Sequence, residues 1–78
     1  MINFNKGDYK IERDLIVDQI FEVLKKQILA GKLKPNERLI EKQIANSFNV
    51  SRSPVREALA KLEHEGLVYR KKQYRRVE

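Results

Sequence analysis

Arg52 and Arg56 stand four residues apart in the stretch SRSPVREALAKLEHEGLV, Ser51 to Val68. On a helix that spacing puts both guanidinium groups on one face, a turn apart. A guanidinium fork grips the O6/N7 edge of guanine bidentately, and it grips phosphate oxygens equally readily. Ser53 and Glu57 extend the same face. No Asp or Glu lies four residues to either side of Arg52, so the pair reads as cations awaiting an anionic partner. A second basic group, Arg70, Lys71, Lys72, Arg75 and Arg76, puts five cations into seven residues. On an extended segment these alternate between two faces, and only some can meet one surface.

Other chemistries find little support. His64 is the only histidine, with no serine or acid arranged as a triad around it and no second metal ligand. Cysteine is absent, which removes disulfides and thiolate metal sites and fits a reducing compartment. There is no glycine-rich phosphate loop. Asp14, Asp18 and Glu22 have a spacing that could suggest a metal or an acid–base pair. Acids early in a helix and lysines late, here Lys25 and Lys26, are what the helix dipole favours, so this is a surface face. The sequence implies no enzyme, no metal and no cofactor.

The totals agree. Seventy-eight residues make one small domain, and a chain of this size buries only about 60% of its unfolded surface. Seventeen Lys and Arg against eleven Asp and Glu give a net charge of +6. As far as Tyr69 there are twelve basic and ten acidic residues; from Arg70 onward there are five and one. A basic end on a near-neutral domain points to a local anionic contact. No stretch approaches the ~20 apolar residues of a membrane span. The opening MINFNKGDYK is too polar for a signal peptide, and the expected location is the cytoplasm.

The elements that must position the arginines follow from periodicity. Residues 1–11 lack a sustained period and are expected to form a flexible arm, with the domain proper at 12–78. Val17, Ile20, Phe21, Leu24 and Ile28 fall at helical spacing, and Glu22 precedes Lys26 in the favourable order for an i,i+4 pair. Gly31 is the expected stop, with Pro35 just beyond it. A turn at Pro35-Asn36 leads to a short extended piece near Arg38 to Ile40. A second helix spans about Glu41 to Phe48 on Ile44, Ala45 and Phe48, and Asn49 ends it. Ser51 or Ser53 then caps a third helix, with Pro54 in its first turn, where a missing N–H costs little. Val55, Ala58, Leu59 and Leu62 form its buried stripe and Gly66 its stop. LVYRKKQYRRV then reads as a β-hairpin with a polar turn around Lys71 to Gln73. Tyr69 and Tyr74 are expected to brace it. A short helix, a tight turn and a second helix make a helix-turn-helix. The basic hairpin makes it winged: mainly α, three helices plus a wing.

At GKLKPNERLIEKQIA (Gly31–Ala45) and FNVSRSPVREALAKLEHEGLV (Phe48–Val68) the chain resembles the N-terminal DNA-binding domain of the GntR family of bacterial transcription regulators. Its SRSPVREAL form is similar to the subgroup with fatty-acid- and carboxylate-responsive members. The resemblance implies a winged helix-turn-helix that reads a double-stranded, palindromic operator, with a recognition helix at about 52–65 in the major groove. It implies that Arg52, Ser53 and Arg56 contact bases and phosphates, that Lys42 holds the backbone, and that Ser51 caps the helix and touches a phosphate. Lys72 and Arg75 correspond to wing contacts, although KKQYRR lacks the glycine usual between the family's wing strands. Family members commonly act as repressors. They normally continue into a dimerising domain that senses a small-molecule effector, so the full-length parent would be a homodimer. This chain, ending at Glu78, is expected to be an isolated DNA-binding fragment, monomeric alone, rather than a short stand-alone member. The competing reading is a winged helix used for protein contacts or RNA, which requires an exposed apolar patch on the third helix.

Overall fold

The apolar stripe beginning at Val17 lies on a helix, α1, that spans Lys6–Leu29 in the computed structural model. The structure describes residues 6–78, with side chains from Glu12 onward. Of the stretch expected as a flexible arm, 1–11, the backbone from Lys6 onward is helical, and Met1 to Asn5 fall outside the described residues. Between Lys6 and Glu12 nothing repeats at helical spacing, so periodicity alone does not mark this first part of α1.

Three helices end in the same way. The chain after α1 turns at Gly31 (φ +77), after α2 (Glu41–Phe48) at Asn49 (φ +57), and after α3 (Arg52–His64) at Gly66 (φ +77). In each case the next amide reaches back five residues: Lys32 N to Gln27 O at 2.9 Å, Val50 N to Ala45 O at 3.0 Å, Leu67 N to Leu62 O at 2.9 Å. These bonds satisfy carbonyls that a helix end otherwise leaves orphaned. A left-handed residue is needed for that geometry, which glycine and asparagine supply most cheaply.

Ser51 is the residue preceding α3, with extended backbone (φ −73, ψ 168), but its hydroxyl makes no capping hydrogen bond. Pro54 explains this in part. It occupies the third helical position, where a serine cap usually finds its N–H, and proline has none. The ring is buried in the first turn instead.

The core is built where α1 and α3 meet. Val17, Ile20, Phe21 and Leu24 of α1 face Val55, Ala58, Leu59 and Leu62 of α3, with Ala45, Leu39, Val68 and Val77 closing the other sides. Ile28, Ile44, Phe48 and Val50 pack partly buried against them. The expected stripes of all three helices thus converge on one cluster. Three ion pairs lace the seam between α1 and α3 with its C-cap: Arg13 to Glu57 at 3.0 Å, Asp18 to Lys61 at 2.9 Å, and Lys25 to the capping Glu65 at 3.0 Å. Each is solvated, so screening leaves it a minor contribution beside the apolar packing. Their order shows the two helices running in the same sense along the seam.

The wing is a three-stranded antiparallel sheet rather than a hairpin alone. β1 (Arg38–Leu39) pairs with β3 (Tyr74–Val77), which pairs with β2 (Val68–Lys71), giving the order β1-β3-β2. Leu39, Val68, Arg75 and Val77 are buried. Arg38, Tyr69, Tyr74 and Arg76 stand on the outer face, following the period of two. Lys72 opens the turn with φ +56, a left-handed conformation that glycine adopts most readily. A lysine there stores about 1 kcal/mol of strain.

Candidate nucleic-acid interface

Arg52 and Arg56 occupy the first and second turns of α3, and both side chains are exposed, at 59% and 58%. Their stems diverge from the buried Val55, Ala58, Leu59 and Leu62, so packing of that stripe holds the opposite face of the helix outward. The pair is not unpartnered, as its own helix suggested. Glu41, the first residue of α2, accepts from both: Arg52 Nη2 at 3.2 Å, Arg56 Nη2 at 3.3 Å and Arg56 Nε at 3.3 Å. Spacing on α3 could not reveal this, because the carboxylate arrives from another helix across the turn.

Glu41 is itself largely sheltered, its side chain 17% exposed. Burial alone would raise its pKa, but hydrogen bonds from Arg56 and then Arg52, with their charges, outweigh it and bring the carboxyl below the ordinary 4.5. It is therefore ionised at neutral pH. A third cation approaches from below: Arg75 Nη1 lies 3.7 Å from Glu41 Oε2, while Arg75 Nε donates to Glu63 Oε1 at 2.9 Å.

That position changes the reading of Arg75. Its side chain is only 5% exposed, tied to a carboxylate on α3 and another on α2. A strand alternates its faces, and Arg75 shares the inner face with Val77 and Val68. Where a wing contact is expected, the structure places a buried guanidinium that ties the wing to both helices. Arg76 is also committed: it donates to the Asn36 carbonyl and to the Tyr74 hydroxyl at 3.3 Å. Tyr74 lies between Arg38 and Arg76, with guanidinium carbons 4.4 and 5.3 Å from its ring centre. The Arg76 hydrogen bond lowers the Tyr74 pKa, with Arg76, Arg38 and Lys72 charges adding to it. Tyr69 donates to Asn36 Oδ1 at 2.6 Å. Both tyrosines therefore brace the wing.

The remaining expected residues are exposed. Lys42, the second residue of α2, and Lys72 at the wing turn lie open to solvent, as do Ser51 and Ser53. Ser53 Oγ accepts from Arg13 Nη2 at 2.6 Å. Arg13 was missed by the sequence reading, yet it stands one turn before Val17 and continues the α1 stripe toward α3. Among the described residues no group of three or more His, Cys, Asp or Glu could hold a metal ion. None of the described helices is long and apolar enough to cross a membrane.

Comparison with known proteins settles the kinship. The family model described as bacterial regulatory proteins, gntR family, matches residues 16–75. The chain belongs to the GntR family. It is 54% identical over 50 residues to the uncharacterized HTH-type transcriptional regulator YdhC of Bacillus subtilis, covering 64% of this chain and 22% of that one. To the HTH-type transcriptional repressor NagR of the same organism it is 49% identical over 55 residues, covering 69% of this chain and 23% of the relative. A GntR-family transcriptional regulator from Pseudomonas syringae pv. tomato str. DC3000, known as a crystal structure, superposes with a TM-score of 0.76 at 35% identity, over 82% of this chain and 27% of that one. The chain thus spans less than a quarter of the length of these two curated relatives. All of Lys42, Ser51, Arg52, Ser53, Arg56, Lys72 and Arg75 fall inside the GntR-matched segment, whereas Arg13 precedes it.

Proposed function

We propose that this GntR-family domain binds double-stranded DNA as the operator-reading unit of a transcription regulator, with α3 entering the major groove. The observation that carries the reading is the exposed start of α3. Arg52 and Arg56 present guanidinium groups there, and no large apolar side chain is exposed on that helix. Among the described residues the exposed large hydrophobics, Leu15, Val23 and Leu29, all lie on α1. A winged helix that used α3 for protein contacts would need an apolar surface there, and this disfavours the competing reading. In helix-turn-helix proteins the N-terminal residues of the second helix reach base edges, and the free N–H groups of a helix start attract phosphate.

In this reading Arg56 and Arg52 discriminate bases, Ser51 and Ser53 touch the backbone, and Lys42 and Lys72 neutralise phosphates and fix register. Arg75 sets the wing against α3 without meeting DNA. The regulator acts as a homodimer on a palindromic operator, and a small-molecule effector works through the larger part of the protein that this domain does not include. Repression is the mode that the NagR relative's name supports.

The test is binding of the chain to its own upstream promoter fragment and to a scrambled duplex, by fluorescence anisotropy across several salt concentrations. Preference for the promoter with a steep salt slope is expected. Absence of binding to either duplex at low salt would remove the DNA reading and restore the protein-contact one.

A further inference from the structure

Glu41 contributes no cation to an anionic ligand, yet it stands at the centre of the arginines that would make one. Its two oxygens take hydrogen bonds from Arg56 Nε and Nη2 and from Arg52 Nη2. The Arg56 contact is side-on: Nε and one hydrogen of Nη2 are engaged. The other edge of the fork, with one N–H from each terminal nitrogen, stays free. That free edge carries two parallel N–H groups, a pairing able to span guanine O6 and N7. Arg52, held by Nη2 alone, keeps more freedom. The three distances, 3.2 to 3.3 Å, are longer than the ~2.7–2.9 Å of strong charge-assisted bonds. The carboxylate orients the arginines without locking them.

The same carboxylate competes with DNA. Any ligand that takes either guanidinium on its inner edge must displace Glu41; on the outer edge of Arg56 none need do so, and there the nearby carboxylate opposes a fully charged phosphate more than a neutral base edge. Arg75, 3.7 Å away and anchored on Glu63, holds the carboxylate in place from the wing side, so the position of Glu41 is coupled to two helices and a strand.

We infer that Glu41 is a specificity-determining positioning residue: it holds Arg56, and less firmly Arg52, in a base-reading orientation and suppresses their indiscriminate use on phosphates. This rests on the proposed DNA-binding function and predicts something a structural salt bridge does not. Losing a merely structural contact weakens binding to every duplex alike. Losing this carboxylate tightens the non-specific complex while eroding preference.

The experiment uses the chain with a duplex enriched by selection from a random-sequence library, and a shuffled duplex of the same composition as the non-specific probe. For Glu41→Gln, affinity for the shuffled duplex is expected to rise about tenfold at low salt, with a salt slope steeper by about one. The ratio between selected and shuffled duplexes should fall by about tenfold. Glu41→Asp keeps the charge on a shorter arm; it should keep the wild-type salt slope on the shuffled duplex while losing part of the ratio. It provides the reading if the glutamine variant fails to fold. Equal weakening on both duplexes, or unchanged affinities and slopes, would overturn the role of Glu41 while leaving DNA reading intact. Failure of the wild-type chain to bind or enrich any duplex would instead strike the proposed function itself.

Discussion

The start of α3 and the middle of β3 both carry arginines close to Glu41, and they use them in opposite ways. At α3 the charged heads of Arg52 and Arg56 project from a helix whose other face is packed, and more than half of each side chain stays in solvent. On β3 the Arg75 side chain turns inward, 5% exposed, between Glu63 and Glu41. Residue type and local charge density are the same; backbone direction decides the role. A basic run on a strand is divided by the two-residue period into inner and outer members, while cations a helical turn apart stay together on one face. Charge counted along the chain therefore overstates the charge that the wing exposes. At α3, charge is partly compensated but still presented.

Removing Arg75 should break the comparison most visibly. Arg75→Ala leaves Glu63 and the sheltered Glu41 without their shared cation. Breaking a buried pair by deleting one partner typically costs about 3–5 kcal/mol; because Glu63 is 39% exposed, a loss of about 2–3 kcal/mol is expected here. Urea unfolding would measure it. The salt slope of DNA binding for the folded fraction should stay unchanged. A stable variant with a shallower slope would return Arg75 to the interface.

Arg56→Ala should do the reverse. With its head in solvent, stability should change by less than about 1 kcal/mol, while discrimination between operator and scrambled DNA drops by about 1–3 kcal/mol. Arg52→Ala, which removes one hydrogen bond to Glu41 rather than two, is expected to cost less specificity. Competition binding with single-base operator variants reads both. Equal weakening on every sequence would mean that Arg56 holds phosphate only.

This contrast also shows what was legible in the residues alone. Helical periodicity located the stripes of α1, α2 and α3, because each stripe buries against the others and a 3.6-residue repeat records that directly. Gly31, Asn49 and Gly66 marked the helix ends because left-handed residues are scarce. Long-range pairing leaves no such trace. Glu41 reaching Arg56 fifteen residues on, Arg13 reaching Ser53 forty residues on, and Arg38–Leu39 joining β3 depend on how the helices cross. The burial of Arg75 was not legible because a run of five cations conceals which one falls on the inner face. Arg13 was recoverable in principle, since extending the α1 stripe back by one turn arrives at it.

Lys72 sharpens the comparison from the wing side. Lys72→Gly removes a cation and relieves a left-handed backbone (φ +56) at once. Stability should hold or rise by up to about 1 kcal/mol. Affinity should fall by a similar factor on all duplexes, and the salt slope should flatten by about 0.9. Unaltered affinity and slope would leave the wing, like Arg75, a scaffold only.

The smallest expected effect tests the hub that the two regions share. Because the Glu41 carboxyl lies below 4.5 in the folded chain, its ionised form stabilises the fold fully above that unfolded-state value. The contribution is lost as pH falls through the lower folded value. At neutral pH, Glu41→Gln should lower stability by less than about 1 kcal/mol, since Arg52 and Arg56 are exposed. Thermal melts of both proteins from neutral pH down to about pH 3 should therefore converge only below 4.5, where wild-type Glu41 takes up its proton. A gap that persisted unchanged at the acid end would mean that the glutamine harms packing rather than charge. Convergence already well above 4.5 would mean that the arginines do not hold the carboxylate in the free protein, and Arg52 and Arg56 would then differ from Arg75 by exposure alone.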